Sequence, residues 1–134
     1  MRKGGNGLIR GIRGATTVEQ NEETEIIAAT KQLLVEMIES NNIQPEDVAS
    51  VFISVTKDVF AAFPAKALRE IEGWTYVPVM CMQEIPVPDS LEKCIRIMMH
   101  VETAVPQEEI RHIYLNHATV LRPDLAGSNE SNQK

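Results

Sequence analysis

The chain has 134 residues, of which 43% are hydrophobic and 24% are charged, with a net charge of −6. This length and composition are typical of one globular domain. The acidic balance and an aromatic content of 4% exclude a nucleic-acid-binding protein, because phosphate binding needs a basic surface and base stacking needs aromatic side chains.

The chain begins with a segment rich in glycine and asparagine, followed by a strand. Residues 1–7 carry two basic side chains but no apolar segment follows them, so we expect a flexible N-terminal extension and not a signal peptide. Residues 8–18 (LIRGIRGATTV) predict a short strand. Its two glycines indicate close approach by another backbone or by a ligand.

The clearest predicted element is a helix from about Asn21 to Ser40. Glutamates fall in its first turns, where the helix dipole favours negative charge, and Asn41 and Asn42 are expected to end it. One apolar stripe at three- and four-residue steps comprises Ile26, Ile27, Thr30, Leu33, Leu34, Met37 and Ile38. A helix with one buried apolar face serves to pack against the sheet, and we expect no functional residues on it.

Four further strands complete the predicted elements. They cover residues 50–55 (SVFISV), 75–83 (TYVPVMCMQ), 92–102 and 110–121 (IRHIYLNHATVL). Short helical segments are expected after Pro45 and over residues 63–73. Pro78 predicts an edge strand or a bulge, because proline cannot donate to a ladder. We expect one domain over residues 8–125 and a polar, disordered tail over residues 126–134.

This order of elements predicts an α+β fold, in which a mixed five-stranded sheet carries one long helix on one face. One helix cannot cover both faces of such a sheet. We therefore expect the second face to meet another subunit of a homo-oligomer.

Nothing in the sequence indicates secretion or a membrane. Cys81 and Cys94 form no CxxC pair and predict no disulfide framework. No apolar run approaches the ~20 residues that a membrane-spanning helix needs. We expect a cytoplasmic protein without a membrane partner.

One arginine lies in the middle of an apolar strand, KCIRIMMHV (93–101). Alternation places Arg96 with Cys94, Met98 and His100 on the face away from the helix. A guanidinium in such a strand is costly unless an anion meets it. That anion is either a carboxylate of the same protein or a ligand at a subunit interface, and the pattern leaves both open.

Arg13 and Tyr114 are expected to point toward the same face as Arg96. Simpler interpretations remain open: Arg13 and Arg10 could protect an edge strand, and Tyr114 could be a core tyrosine with a satisfied hydroxyl. Glu84 could be an ordinary loop acid, and the two cysteines inert buried thiols.

Metal and nucleophile chemistry have little support in the sequence. His112 and His117 are five residues apart on a predicted strand, hence on opposite faces, and His100 is isolated, so we expect no metal site. GIRGAT has the wrong spacing for a phosphate loop, and no nucleophile–base motif occurs. The residues alone predict an oligomeric domain with an arginine-lined anion site and no cofactor.

Seven blocks of sequence, in order, resemble the bacillus-type monofunctional (AroH-class) chorismate mutases. They are IRGIRGATTVE, FPAKALRE, GWTYVPV, CMQE, KCIRIMM, QEEIRHIYL and ATVLRPDL, and they extend from about Leu8 to Leu125. The resemblance implies a homotrimeric pseudo-α/β-barrel with active sites between subunits. It also implies the Claisen rearrangement of chorismate, a dianion, to prephenate in phenylalanine and tyrosine biosynthesis, with no cofactor, metal or covalent intermediate.

The resemblance further implies a role for each candidate residue. Arg96 would donate to the ether oxygen and a carboxylate of the substrate, while Arg13 and Tyr114 would hold a carboxylate. Glu84 would accept from the ring hydroxyl, near the ring's developing positive charge. The remaining implied substrate contacts, drawn with these from two neighbouring chains, are Cys81, Phe63, Arg69, Leu121 and Arg122.

Two other functions are compatible with an arginine-lined cleft. One is a trimeric deaminase of enamines and imines, which has a similar fold and would depend on protons to activate hydrolysis. The other is a non-catalytic module that binds an acid of aromatic metabolism. Loss of chorismate absorbance in plain buffer, and its pH dependence, would distinguish the three.

Overall fold

The structure, a computed structural model, describes residues 7–122, which form a five-stranded sheet and one long helix. The strands are β1 (Leu8–Thr17), β2 (Val48–Val55), β3 (Val79–Gln83), β4 (Cys94–Thr103) and β5 (Ile113–Tyr114), and helix α1 is Glu23–Asn41. Short 3₁₀ helices cover Pro45–Asp47, Pro64–Glu70, Gln107–Glu109 and Asn116–Val120. The expected tail, the end of the expected domain and residues 1–6 of the expected extension lie outside the described residues. Within residues 7–122, no helix is long and apolar enough to cross a membrane.

The sheet has the strand order β3-β2-β4-β1-β5. Strand β4 lies at its centre and is antiparallel to both β1 and β2, whereas β3 and β5 run parallel to their neighbours. The predicted mixed α+β sheet is therefore confirmed. Pro78 directly precedes β3 at one edge, as predicted, and its carbonyl accepts a hydrogen bond from the Val51 amide at 2.9 Å.

Helix α1 packs closely against strand β1. Its buried residues are Ile26, Thr30, Leu33, Leu34 and Met37. A Cβ atom on Gly14 would lie 2.5 Å from Sδ of Met37 and 3.0 Å from Cδ1 of Leu33. The atoms that approach this glycine most closely belong to helix side chains and not to the predicted backbone; approach by a ligand stays a prediction.

The ends of helix α1 follow from local hydrogen bonds. Glu22 is the N-cap and accepts from the Glu25 amide, because the predicted start, Asn21, instead accepts from the amides of Phe60 and Ala61. At the other end Asn42 has a φ of 52° in the left-handed region, which ends the helix where the sequence predicts.

The predicted strand over residues 110–121 is wrong for most of its length. Pairing with β1 stops at Tyr114, since Asn116 has a φ of 57° that breaks the extended backbone. The Asn116 amide group donates to Oγ1 of Thr16 at 3.0 Å, and a 3₁₀ helix follows. The expected opposite-face placement of His112 and His117 therefore loses its basis, although among the described residues no three His, Cys, Asp or Glu side chains cluster as metal ligands do.

The two faces of the sheet have different neighbours. On β4 the residues predicted to lie beneath the helix are buried in the main core: Ile95, Ile97, Met99 and Val101. On the opposite face Arg96 is exposed, whereas Met98 and His100 are only partly buried. A small second cluster lies at one end of that face, where Cys94 packs with Ala15, Tyr114 and Ala118. The alternation predicted for β4 is thus confirmed.

Candidate active site

The sheet face opposite helix α1 contains a cavity of about 370 Å³. Six of the nine predicted substrate contacts line it: Arg13, Glu84, Arg96, Tyr114, Leu121 and Arg122. Its other side chains are mainly apolar and include Ala15, Phe52, Met82 and Met98. An apolar cleft with a few convergent polar groups is the usual form of a small-molecule site.

Strand register brings the polar side chains together. Ala15 of β1 lies directly opposite Arg96 on β4 and Tyr114 on β5. Paired residues of neighbouring strands project from the same face, so the guanidinium and the phenol stand on either side of a methyl group. Arg13, two residues earlier on β1, projects from this face as well.

Arg96 forms an ion pair with Glu84. Its Nε lies 3.3 Å from Oε2 of Glu84, and the Ser54 hydroxyl donates to the same oxygen at 2.8 Å. The Glu84 amide donates to the Val55 carbonyl at 2.8 Å, which fixes the residue at the end of β3. Of the two anions considered for Arg96, an internal carboxylate is therefore present. It engages Nε, however, and the arginine side chain stays 49% exposed at the cavity.

The cavity has a surplus of positive charge. Among the described residues its charged lining consists of three arginines and one glutamate, which leaves two positive charges in excess. The chain as a whole is acidic, so this surplus is local. Such a site is complementary to a small dianion.

Arg13 is held through its backbone by a histidine. Its amide donates to Nδ1 of His112 at 3.0 Å. Burial, followed by the positive charges of Arg13 and Arg122, lowers the pKa of His112 from its ordinary value, so the ring is neutral near pH 7. The sequence singled out His112 only as a potential metal ligand, and this contact was missed.

A carboxylate holds the start of β4. Both oxygens of Asp58 accept from the Lys93 amide, at 3.0 and 3.1 Å, and one accepts from the Thr56 hydroxyl at 2.6 Å. Lys93 has a φ of 47°, a conformation that such bonds help to maintain. Burial raises the pKa of Asp58, but the hydrogen bonds from Thr56 and Lys93 outweigh it and the net shift is downward. This arrangement aligns the strand three residues before Arg96.

Both cysteines are free thiols. Burial raises the pKa of Cys94, which packs beside Tyr114 in the second cluster, and also that of Cys81. Raised pKa values keep them protonated and weakly reactive. Cys94 is buried, as predicted, and its inertness stays a prediction.

Three predicted site residues do not border the cavity of the single chain. Cys81 pairs with core residue Ile53, so its side chain lies on the helix-facing side of the sheet. Phe63, immediately before the 3₁₀ helix Pro64–Glu70, is 73% exposed, and Arg69 lies in the last turn of that helix. Their contacts with substrate remain predictions.

Ser54 is a functional candidate that the sequence analysis missed. A usable signal was present: in SVFISV, alternation places the serines at 50 and 54 on the face that carries Phe52. Polar residues recurring on one face of an apolar strand indicate a site or an interface. Here Ser54 supports Glu84, and Ser50 hydrogen-bonds His100 at 3.2 Å.

Comparison with known proteins identifies similar sequences over most of the chain. The family model for chorismate mutase type I matches residues 9–125. Chorismate mutase AroH of Bacillus subtilis (strain 168) is 60% identical over 119 residues, which cover 89% of this chain and 94% of the relative. Chorismate mutase AroH of Thermus thermophilus is 47% identical over 119 residues, covering 88% of this chain and 97% of the relative.

A solved structure shares the fold. A chorismate mutase from Clostridium thermocellum superposes with a TM-score of 0.80 at 55% sequence identity. The match covers 82% of this chain and 97% of the other. Sequence and architecture therefore point to the same group of proteins.

Proposed function

The chain belongs to the chorismate mutase type I family and is an isomerase that converts chorismate to prephenate in aromatic amino-acid biosynthesis; we propose that the cavity opposite helix α1 is where it does so. The single observation that carries this placement is the Arg96–Glu84 pair within a cavity of surplus positive charge. The substrate has two carboxylates, which are opposite in sign to that surplus and equal to it in number.

The reaction determines what the protein must supply. In a Claisen rearrangement a carbon–oxygen bond breaks ahead of carbon–carbon bond formation within one molecule, and no proton moves. Negative charge then grows on the ether oxygen and positive character on the ring. The protein can contribute a fixed reactive conformer and preorganised charge directed at these two positions.

Arg96 is the donor to the ether oxygen. It is placed by the central strand, and its Nε forms an ion pair with Glu84 that leaves the arginine side chain 49% exposed. A preorganised donor to a developing oxyanion contributes ~3–4 kcal/mol to the transition state. Glu84, on the other side of the same pair, accepts from the ring hydroxyl and lies near the positive ring.

Arg13, Tyr114 and Arg122 bind the carboxylates. Arg13 and Tyr114 border the cavity at the β1–β5 side, and Arg122 follows Leu121 at the end of the described chain. These groups meet charges that persist through the reaction. They therefore contribute mainly to substrate affinity, in contrast to Arg96.

A homotrimer with intersubunit active sites completes the proposal. It is supported by the sheet face that, among the described residues, lies away from the long helix. Exposed apolar side chains support it too: Met82, which lines the cavity, is 40% exposed, and Ile85, next to Glu84, is 77% exposed. Phe63, Arg69 and the segment around Cys81 would then reach the cavity of a neighbouring chain. We place the enzyme in the cytoplasm, which agrees with its two free thiols.

The direct test is the loss of chorismate absorbance in plain buffer with no additive. A pericyclic enzyme shows a kcat that is nearly flat with pH near neutrality and a small solvent isotope effect. Marked proton dependence of kcat would favour the deaminase alternative, and absence of turnover the binding module. Neither alternative is favoured by the family match.

A further inference from the structure

His112 takes the place of a backbone acceptor beside Arg13. Strand β5 is two residues long and pairs with β1 only at Gly14 and Ala15. One residue earlier on β1, the Arg13 amide donates to Nδ1 of the His112 ring at 3.0 Å. A side chain thus extends the β1–β5 ladder by one hydrogen bond, at the residue whose guanidinium enters the cavity.

This bond fixes the protonation state of the ring. Nδ1 can accept from an amide only while its lone pair is free, so the proton of the neutral imidazole is on Nε2. Among the described residues, the charged groups that act on the ring are Arg13 on β1 and Arg122 beyond the last 3₁₀ helix, and both are positive. An imidazolium here would lose its acceptor and add a third positive charge to the two arginines.

We propose that His112 is a positioning residue for Arg13. The neutral ring of His112 holds Arg13 in place for a substrate carboxylate, and protonation of the ring releases Arg13. The inference rests on the proposed substrate-binding role of Arg13. It adds an acid-sensitive element to a reaction that involves no proton transfer, and it confines that sensitivity to substrate binding. Turnover, which depends on Arg96, is not affected.

Two substitutions separate positioning from folding. His112→Leu removes the acceptor, and loss of one such bond to a half-buried amide should raise KM for chorismate on the order of tenfold, with kcat within about twofold. His112→Asn places an amide oxygen close to the position of Nδ1 and cannot be protonated. It should restore most of the lost affinity.

The pH profile tests the proposed release. We expect the KM of the unmodified enzyme to rise as the pH falls from 8 toward 5. The pKa of His112 is lowered from its ordinary value of 6.5, so this rise should begin below that pH. In His112→Asn this rise should disappear. Chorismate and all other titrating groups are common to both proteins, so the difference between the two profiles reports His112.

Each outcome decides the inference. An unchanged KM in His112→Leu would overturn it. So would a rise in KM at low pH in His112→Asn that equals the rise in the parent enzyme. If His112→Leu does not fold, the pH profile of His112→Asn alone decides. Arg13→Ala separates this inference from the underlying proposal. If Arg13→Ala leaves KM unchanged, the role of Arg13 fails; if it raises KM while the His112 variants behave like the parent, only the positioning role fails.

Discussion

Ser54 and Arg96 face each other across the β2–β4 ladder, and both bind the same oxygen of Glu84. The hydroxyl lies 2.8 Å and the guanidinium Nε 3.3 Å from Oε2. One hydrogen bond and one ion pair thus hold the carboxylate. In the proposed site, Glu84 would thereby orient the guanidinium of Arg96 toward the substrate.

Removing the Ser54 hydroxyl should loosen this arrangement without removing a charge. We expect Ser54→Ala to lower kcat by about three- to tenfold, since one hydrogen bond of about 1 kcal/mol is lost from the Glu84 carboxylate. Ser54→Thr, which keeps a hydroxyl, is the matched control and should retain more activity. Steady-state kinetics measure both, and equal losses in the two variants would show that the hydroxyl is not the important group.

Arg96 and Arg13 should affect different kinetic constants. Arg96→Ala should reduce kcat by roughly a hundred- to a thousandfold, because it removes a donor to a charge that develops only in the transition state. Arg13→Ala should act mainly on KM. Arg96→Lys should recover little, because an ammonium cannot replace a planar group that binds Glu84 and substrate together. Equal kcat losses in both alanine variants, or an effect of Arg96→Ala on KM alone, would contradict these assignments.

Intersubunit sites predict recovery of activity on mixing. Arg96→Ala chains lack the central donor, and Arg69→Glu chains would place a repelling carboxylate at the neighbour's cavity. After joint refolding, every mixed trimer would contain one intact site, which corresponds to about a quarter of the parent activity at equal mixing. Mixing Arg96→Ala with Glu84→Ala is the control. These two residues pair within one chain, so no activity should return.

Gly14 and Gly11 give a matched pair for stability. A Cβ on Gly14 would meet the helix at 2.5 Å, whereas one on Gly11 would lie 3.2 Å from the flexible end of Met98. Gly14→Ala should lower the free energy of unfolding by about 1–3 kcal/mol through overpacking. Gly11→Ala should change it far less. Thermal unfolding of both variants measures this difference in stability. Similar Tm values would mean that helix α1 accommodates the added methyl group without loss of stability.

Asp58 should stabilise the fold in a pH-dependent way. Its pKa is lowered from 3.8 in the folded state, so its stabilisation is present above that value and is lost as the pH falls below it. Asp58→Asn should therefore cost roughly 1 kcal/mol near pH 7, and the difference from the parent should shrink toward pH 3. Asp89→Asn, at an exposed loop acid, is the control and should have little effect. Denaturant unfolding at several pH values measures this, and a constant difference would contradict it.

The side of the site carried by β4 was predictable from the sequence, whereas the side carried by β5 was only partly so. Alternation alone placed Arg96 opposite the helix, because a strand buried on one face has a strict period of two. The length of β5 was not predictable: it depends on the left-handed conformation of Asn116, which is stabilised by a contact with Thr16, a residue 100 positions away. The pairing of Arg96 with Glu84 was left open for a similar reason, since it depends on which strand lies next to β2.

The unequal lengths of these strands have a consequence for temperature. Arg96 belongs to a ten-residue strand bonded on both sides, but Tyr114 belongs to a two-residue edge strand that will open more readily. As the temperature rises, binding of the substrate carboxylates near Tyr114 should weaken while Arg96 is still held in place. KM should therefore rise at a lower temperature than the one at which kcat falls. An organism that grows at higher temperatures could adapt this enzyme by stabilising the edge strand β5 without changing the central strand β4.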